Sequence, residues 1–148
     1  MKKSFISPLE GKLISLQDVN DTMFAKEKLG TGFAIEMTGS HLIAPFSGTL
    51  LAVFPTGHAY ILRSDDGIEI MIHLGMNTTD SSDCFKPMVN KYDFVKQGTV
   101  LAEIDIEQLK KEHKSLISPI VFTNKPSINI LKQNKFVTLG EHAIINIG

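Results

Sequence analysis

Residues 58–73, HAYILRSDDGIEIMIH, decide the fold because they predict two strands joined by one short turn. Apolar and β-branched residues dominate both halves, and the DDG segment at 65–67 is typical of a β-hairpin turn. The first half begins with His58 and the second half ends with His73. A hairpin therefore brings these two histidines to the same end of a strand pair.

The register of this hairpin determines whether the histidines share a face. A two-residue loop at 65–66 or at 66–67 places both imidazoles on one face, with Cβ atoms roughly 4.5–8 Å apart. A three-residue loop places them on opposite faces. With a two-residue loop, the face that carries the histidines also carries Tyr60, Leu62 and Met71. The opposite face then carries Ala59, Ile61, Ile70 and Ile72.

Two facing histidines suit either of two chemistries. Together they bind a metal, or one attacks phosphorus while the other stabilises the charge that follows. A structural or solvated histidine is the ordinary alternative, but Thr56, Gly57 and Gly75 flank the pair and favour a functional site. The three remaining histidines lack such a setting and are predicted to be solvated: His41, His113 and His142.

Composition excludes several classes of function. The 148 residues predict one domain, 1–148, and the net charge of −1 argues against nucleic acid or an anionic membrane as the main partner. The single cysteine, Cys84, cannot form an internal disulfide and is interpreted as an incidental thiol, which fits a cytoplasmic location. Lys2 and Lys3 are followed by no apolar run, so no signal peptide is expected, and no stretch approaches the ~20 apolar residues of a membrane span.

No nucleotide-binding motif is present, neither GxxxxGK[ST] nor GxGxxG, so no bound cofactor is expected. A phosphoryl-transfer protein without a nucleotide loop must receive its phosphoryl group from another protein.

Short apolar segments separated by Gly and Pro predict a β-sandwich or barrel. The predicted strands are 12–16, 32–37, 41–44, 49–53, 59–63, 68–74, 85–89, 99–104, 117–122, 136–139 and 143–147. One helix is predicted at 106–113, with Asp105 as its N-cap and Gln108 closing a capping box, and one helical turn at 22–28. A weak repeat, GTLLA at 48–52 and GTVLA at 98–102, suggests a duplicated motif.

Six segments together resemble the glucose-type enzyme IIA family of the bacterial phosphoenolpyruvate-dependent sugar phosphotransferase system. They are 7–16 (SPLEGKLISL), 23–32 (MFAKEKLGTG), 44–49 (APFSGT), 56–59 (TGHA), 67–75 (GIEIMIHLG) and 95–98 (VKQG). The similarity runs in order from Phe5 to Ile147. The resemblance implies an all-β fold, an antiparallel sandwich or barrel of the duplicated hybrid motif type with few short helices.

The resemblance also implies a function and partners. The protein would take a phosphoryl group from the phosphohistidine protein HPr and pass it to the IIB domain of a sugar permease, usually to a cysteine there. Regulatory protein targets are possible partners, whereas nucleic acid, a metal, a cofactor and direct membrane insertion are not implied.

Seven residues match functional positions of the family. His73 matches the histidine phosphorylated at Nε2, His58 the histidine that stabilises the phosphoryl oxygens, and Thr56 the threonine that orients this network. Four apolar residues match the partner-docking rim: Met23, Phe24, Phe54 and Met71.

One departure from the family pattern leaves alternatives open. Asn77 stands where the family usually has an acidic residue, while Asp21 keeps another. A regulatory homologue that is never phosphorylated is therefore an alternative. A zinc hydrolase on a related scaffold is a second alternative, but it would need a third ligand beside the histidine pair.

Overall fold

The computed structural model describes residues 4–124 and 127–147. These residues form thirteen strands, two short α-helices and two 3-10 turns. In chain order the strands are β1 Gly11–Ser15, β2 Thr31–Met37, β3 His41–Ile43, β4 Gly48–Val53, β5 Ala59–Arg63, β6 Glu69–His73, β7 Phe85–Pro87, β8 Phe94–Val95, β9 Val100–Ile104, β10 Ile117–Phe122, β11 Ile128–Ile130, β12 Phe136–Val137 and β13 Ile145–Ile147. The helices are α1 Thr22–Ala25 and α2 Ile106–Lys111, and the 3-10 turns are Leu16–Asp18 and Ser82–Cys84. The expectations for Lys2, Lys3 and the ends of the 1–148 domain lie outside the described residues.

The strands form three antiparallel sheets. An eight-stranded sheet has the order β12-β1-β2-β10-β6-β5-β4-β8, a three-stranded sheet the order β3-β9-β7, and β11 pairs with β13. This confirms the antiparallel all-β class with few short helices. The sequence does not predict β8 and β11, because they are two and three residues long and too short for an alternation pattern.

Side-chain alternation gives the large sheet an apolar layer on both faces. Along β2, Phe33 and Ile35 point into the main core, while Ala34 between them points into a second, smaller cluster. This second cluster also contains Leu16, Val19, Phe24 and Val121, and Met71 packs against it. The segment containing α1 therefore covers the outer face of the sheet near the end of β6.

Helix α2 begins at the predicted cap. Asp105 Oδ1 accepts a hydrogen bond from the Gln108 N–H at 3.0 Å, as the sequence predicted. The capping box is wrong, because the Gln108 side chain donates to Glu112 Oε2 at 2.9 Å and the Asp105 N–H donates to the Cys84 carbonyl. Neither helix among the described residues has the length and apolar run that crossing a membrane requires.

Both predicted registers with a two-residue hairpin loop are wrong, because the loop has three residues. β5 and β6 pair Ala59 with His73 and Arg63 with Glu69. The Gly67 N–H donates to the Ser64 carbonyl at 3.0 Å, and Gly67 has a φ of +93°. This geometry is a turn followed by a left-handed residue, which is the usual form of a three-residue hairpin loop.

The three-residue loop reverses the predicted face of four β5 residues: Ala59, Tyr60, Ile61 and Leu62. Tyr60 and Leu62 are fully buried in the main core with Ile70 and Ile72. A two-residue loop would have placed them beside the histidines. Met71 does share a face with His73, as predicted. Ala59 and Ile61, predicted on the opposite face, lie on the His73 face instead, because Ala59 pairs with His73 and Ile61 with Met71.

Candidate functional site

His58 and His73 lie together in spite of the three-residue loop. Their ring centroids are 5.0 Å apart and the ring planes cross at 74°. His73 is the last residue of β6, whereas His58 precedes β5 and follows Gly57, whose φ is +75°. The turn, not the strand alternation, thus directs the His58 side chain. The Leu74 N–H donates to the His58 carbonyl at 2.7 Å and joins the two segments.

The hydrogen bond of His73 determines which ring nitrogen is free. Nδ1 lies 2.7 Å from the Gly75 carbonyl oxygen. Because a carbonyl oxygen only accepts, Nδ1 holds the proton in this contact. The neutral ring then has its lone pair on Nε2, the nitrogen able to act as a nucleophile.

Gly75 is required by its backbone and by its crowded surroundings. Its φ is +72°, which favours glycine, and a Cβ at this position would lie 2.6 Å from the Ser115 carbonyl oxygen and 2.7 Å from Thr78 Cγ2. No L side chain fits there without displacing backbone. Only glycine therefore fits at position 75, whose carbonyl holds His73.

His58 is held by a hydroxyl and by an aromatic ring. Its Nδ1 makes a short hydrogen bond with Thr56 Oγ1, and its side chain is almost fully buried. Phe54 lies against the imidazole edge to face, with ring centroids 5.6 Å apart. A hydroxyl that donates to Nδ1 would leave the His58 proton on Nε2.

Helix α1 supports the His73 ring from the other side. Phe24 contacts His73 edge to face at 5.9 Å between centroids. Asp21 is the N-cap of α1, because its Oδ1 accepts from the backbone N–H groups of Met23 and Phe24 at 2.9 and 3.4 Å. The acidic group of Asp21 was expected near the site, whereas its capping role was not.

The four predicted rim residues differ in exposure. Met23 is 45% exposed, and Phe54 and Met71 are half-buried, so all three offer some apolar surface. Phe24 is only 6% exposed. Its main contacts are with His73 and the second cluster, so it supports the site more than it enlarges the surface.

Both histidines favour the neutral state. Burial is the largest cause lowering the pKa of His58 below its ordinary 6.5, and the nearby His73 adds to the effect. Burial also lowers the pKa of His73, against the opposing effects of the Gly75 hydrogen bond and the Asp21 charge. At neutral pH each ring therefore has one N–H and one lone pair.

The loop after His73 is tied to the segment that follows α2. Lys114 Nζ donates to the Asn77 carbonyl at 3.1 Å and to Asp80 Oδ1 at 2.8 Å. Asn77 has a left-handed backbone, with a φ of +57°. These hydrogen bonds could not be predicted from the sequence, because they join residues more than thirty positions apart and no local pattern indicates them.

Within the part of the chain that the structure describes, the histidine pair has no third ligand for a metal. Over residues 4–124 and 127–147, no three His, Cys, Asp or Glu side chains are grouped so that they could hold a metal ion. The zinc-hydrolase alternative therefore has no support in the site's geometry. Cys84 is buried in the wall of a surface cleft that it shares with His41, and burial raises the pKa of its thiol.

Known proteins are similar to this chain in sequence and in fold. The family described as "phosphoenolpyruvate-dependent sugar phosphotransferase system, EIIA 1" matches residues 3–128. The glucose-specific EIIA component of the phosphotransferase system from Staphylococcus aureus strain COL is 34% identical over 145 residues, which are 95% of this chain and 87% of that protein. The corresponding protein of strain MRSA252 has the same identity and coverage.

A solved structure agrees along nearly the whole chain. Glucose permease IIA from Mycoplasma capricolum superposes with a TM-score of 0.90 and 32% identity, covering 98% of this chain and 96% of that one. The chain belongs to the EIIA 1 family of the phosphoenolpyruvate-dependent sugar phosphotransferase system. It is a phosphotransferase component, a phosphoryl carrier of this system, and the resemblance inferred from its six motifs is confirmed.

Proposed function

We propose that His73 accepts the phosphoryl group on Nε2 from phosphorylated HPr and passes it to the IIB domain of a permease for glucose or a related sugar. The observation that carries this proposal is the 2.7 Å contact between His73 Nδ1 and the Gly75 carbonyl. It reserves the Nδ1 proton and leaves the Nε2 lone pair for attack.

The relay consists of two displacements at phosphorus. In the first, the bond between phosphorus and the donor histidine of HPr breaks as the bond to His73 Nε2 forms, and the donor nitrogen recovers its lone pair. In the second, the bond to Nε2 breaks as phosphorus bonds to the partner's nucleophile, and His73 returns to its neutral form. The protein supplies positioning and charge stabilisation, which are its main contributions in phosphoryl transfer.

His58 and Thr56 are the proposed stabilising pair. With the Thr56 hydroxyl donating to Nδ1, His58 presents an Nε2 proton to a phosphoryl oxygen on the neighbouring His73. The 5.0 Å separation of the ring centroids leaves this donor within reach of such an oxygen. Its low solvent exposure strengthens the electrostatic effect.

Met23, Phe54 and Met71 are the proposed docking rim for both partners. Phe54 lies against His58, Met71 lies two residues before His73 on β6, and Met23 precedes Phe24, which contacts His73. A partner bound to this partly exposed apolar surface would bring its reactive atom in line with Nε2. HPr and a IIB domain would use the rim in turn, and a regulatory target would compete with both. With these partners, the proposed location of the protein is the cytoplasm.

The acceptance step is tested by incubating the protein with phosphoenolpyruvate, enzyme I and HPr and measuring its intact mass. Wild type and the control His41→Gln, changed at an exposed histidine outside the site, are expected to gain one acid-labile phosphoryl group. His73→Gln is expected to gain none. Phosphorylation of His73→Gln, or no phosphorylation of wild type by a competent HPr, would overturn the proposal, and the second result would favour the regulatory alternative.

The stabilising role is tested on the onward step. His58→Ala is expected to accept the phosphoryl group and to transfer it to a IIB domain about 100–1,000 times more slowly, the usual cost of losing one such donor. Quenched-flow transfer from pre-phosphorylated protein gives this rate. Transfer at the wild-type rate would remove His58 from the mechanism.

A further inference from the structure

Two buried hydroxyls hold both sides of one peptide next to His73. The Leu74 carbonyl accepts a hydrogen bond from Thr78 Oγ1 at 2.6 Å, and the Gly75 N–H donates to Ser118 Oγ at 3.0 Å. These two groups belong to the same Leu74–Gly75 peptide unit. Thr78 and Ser118 are fully buried, so water does not compete for these bonds.

The Ser118 hydroxyl is itself held by a second hydrogen bond. Its hydroxyl donates to the Leu116 carbonyl at 3.1 Å, which leaves the oxygen lone pairs for the Gly75 N–H. The strand β10 that contains Ser118 pairs with β6, the strand that ends at His73. The acceptor for Gly75 is thus anchored to the same sheet as the histidine.

The next peptide unit contains the carbonyl that binds His73. On the other side of that unit, the Met76 N–H contacts the Ser115 carbonyl at 3.4 Å. The direction of the Gly75 carbonyl depends on the backbone angles at Gly75, whose φ of +72° lies in the left-handed region that favours glycine. A glycine also has the widest choice of other conformations, so its neighbours must restrict it.

We propose that Thr78 and Ser118 are positioning residues that hold the Gly75 carbonyl on His73 Nδ1 and thereby keep Nε2 unprotonated. Neither hydroxyl touches the imidazole, and both act through the Leu74–Gly75 peptide. The consequence for phosphoryl transfer rests on the function proposed above. The consequence for the His73 tautomer does not.

The chain offers matched variants for a test. Ser118→Ala and Thr78→Val each remove one hydroxyl with little change in volume, whereas Ser118→Thr and Thr78→Ser keep it. Ser7→Ala is the control, because Ser7 is equally buried and donates to the Leu9 carbonyl at 2.6 Å, away from the histidines. Backbone amide spectra identify the variants that keep the fold. Because the two hydroxyls are tested separately, the test needs only one position at which both the hydroxyl-deleted variant and its hydroxyl-retaining control fold.

Two measurements are made on each folded variant above pH 7. The ¹⁵N chemical shifts of labelled histidine report which nitrogen of His73 is protonated, without any partner. Single-turnover phosphorylation by phospho-HPr reports the rate constant separately from the half-saturating HPr concentration.

We expect wild type, Ser118→Thr, Thr78→Ser and Ser7→Ala to show a single Nδ1–H tautomer. In Ser118→Ala and Thr78→Val we expect mixed tautomers and phosphorylation about 3–10 times slower at unchanged half-saturation, the effect of losing one buried hydrogen bond. An unchanged tautomer in both hydroxyl-deleted variants would overturn the proposal, as would an equal effect in Ser7→Ala. If wild type is not phosphorylated at all, the proposed function fails, while the ¹⁵N shifts still decide the positioning claim.

Discussion

At the scale of single residues, Asp21 has two separable effects on the site. Its carboxylate caps α1 through the N–H groups of Met23 and Phe24, and its negative charge opposes the lowering of the His73 pKa. The cap needs only an oxygen acceptor, which asparagine also provides. The effect on His73 needs the charge.

We therefore expect Asp21→Asn to keep α1 in place and to lower the pKa of His73 below its wild-type value. An NMR titration of the His73 ring measures this pKa directly. Asp18→Asn is the matched control, because Asp18 is an exposed acid in the preceding 3-10 turn and makes no contact with either histidine. A pKa that stays constant or rises in Asp21→Asn would contradict this account of the electrostatics.

At the scale of elements, the hairpin shows what could and could not be predicted from sequence. The strands β5 and β6 follow from their apolar runs, and the turn follows from the DDG segment at 65–67. The loop length does not follow, because two-residue and three-residue loops use the same residue types. One residue of loop length reverses the face of each side chain in one strand, which is why Tyr60 and Leu62 were placed wrongly.

The histidine pair could be predicted even though the register could not. His58 precedes β5, and the turn at Gly57 sets the direction of its side chain. The alternation of side chains along a strand therefore does not determine the face on which His58 lies. The six-motif resemblance identified the pair independently of the register. The supporting contacts of Ser118 and Lys114 could not be predicted, since they depend on which strands and loops the fold brings together.

Two glycines in this region give a matched prediction about turn geometry. Gly67 and Gly75 both have a positive φ, but a Cβ on Gly67 meets no atom within 4 Å, whereas a Cβ on Gly75 meets the Ser115 carbonyl at 2.6 Å. Gly67→Ala should lower the free energy of unfolding by about 1–2 kcal/mol, the backbone cost alone. Gly75→Ala should cost at least about 3 kcal/mol and disturb the His73 tautomer.

Urea unfolding of the two glycine variants measures these costs. Equal losses in Gly67→Ala and Gly75→Ala would show that crowding around Gly75 is not a constraint. The His73 tautomer in Gly67→Ala should match that of wild type, because the hairpin turn lies at the opposite end of β6.

At the scale of the whole molecule, the neutral histidine pair should make stability depend on pH. In the folded state the pKa values of His58 and His73 lie below their ordinary 6.5, so below that pH the unfolded chain binds more protons than the folded one. Their contribution to stability is therefore complete above pH 6.5. It is lost as the pH falls through the folded pKa values.

Urea unfolding at about pH 7.5 and 5.5 tests this dependence. Wild type should be less stable at the lower pH, and a His58→Gln, His73→Gln double variant should lose less. Asp80 and Glu141, whose pKa values are lowered from 3.8 and 4.5, contribute at more acidic pH and stay ionised in this window. A double variant with the full wild-type loss would assign the pH dependence to other groups.

The most direct test of the central claim is to identify the atom that takes the phosphoryl group. Protein labelled with ¹⁵N-histidine is phosphorylated by phosphoenolpyruvate, enzyme I and HPr, and the ¹⁵N–³¹P coupling is recorded. The account predicts one coupling, to Nε2 of His73, with Nδ1 still protonated against the Gly75 carbonyl. Coupling to Nδ1 of His73 or to another histidine, or no phosphorylation, would contradict it.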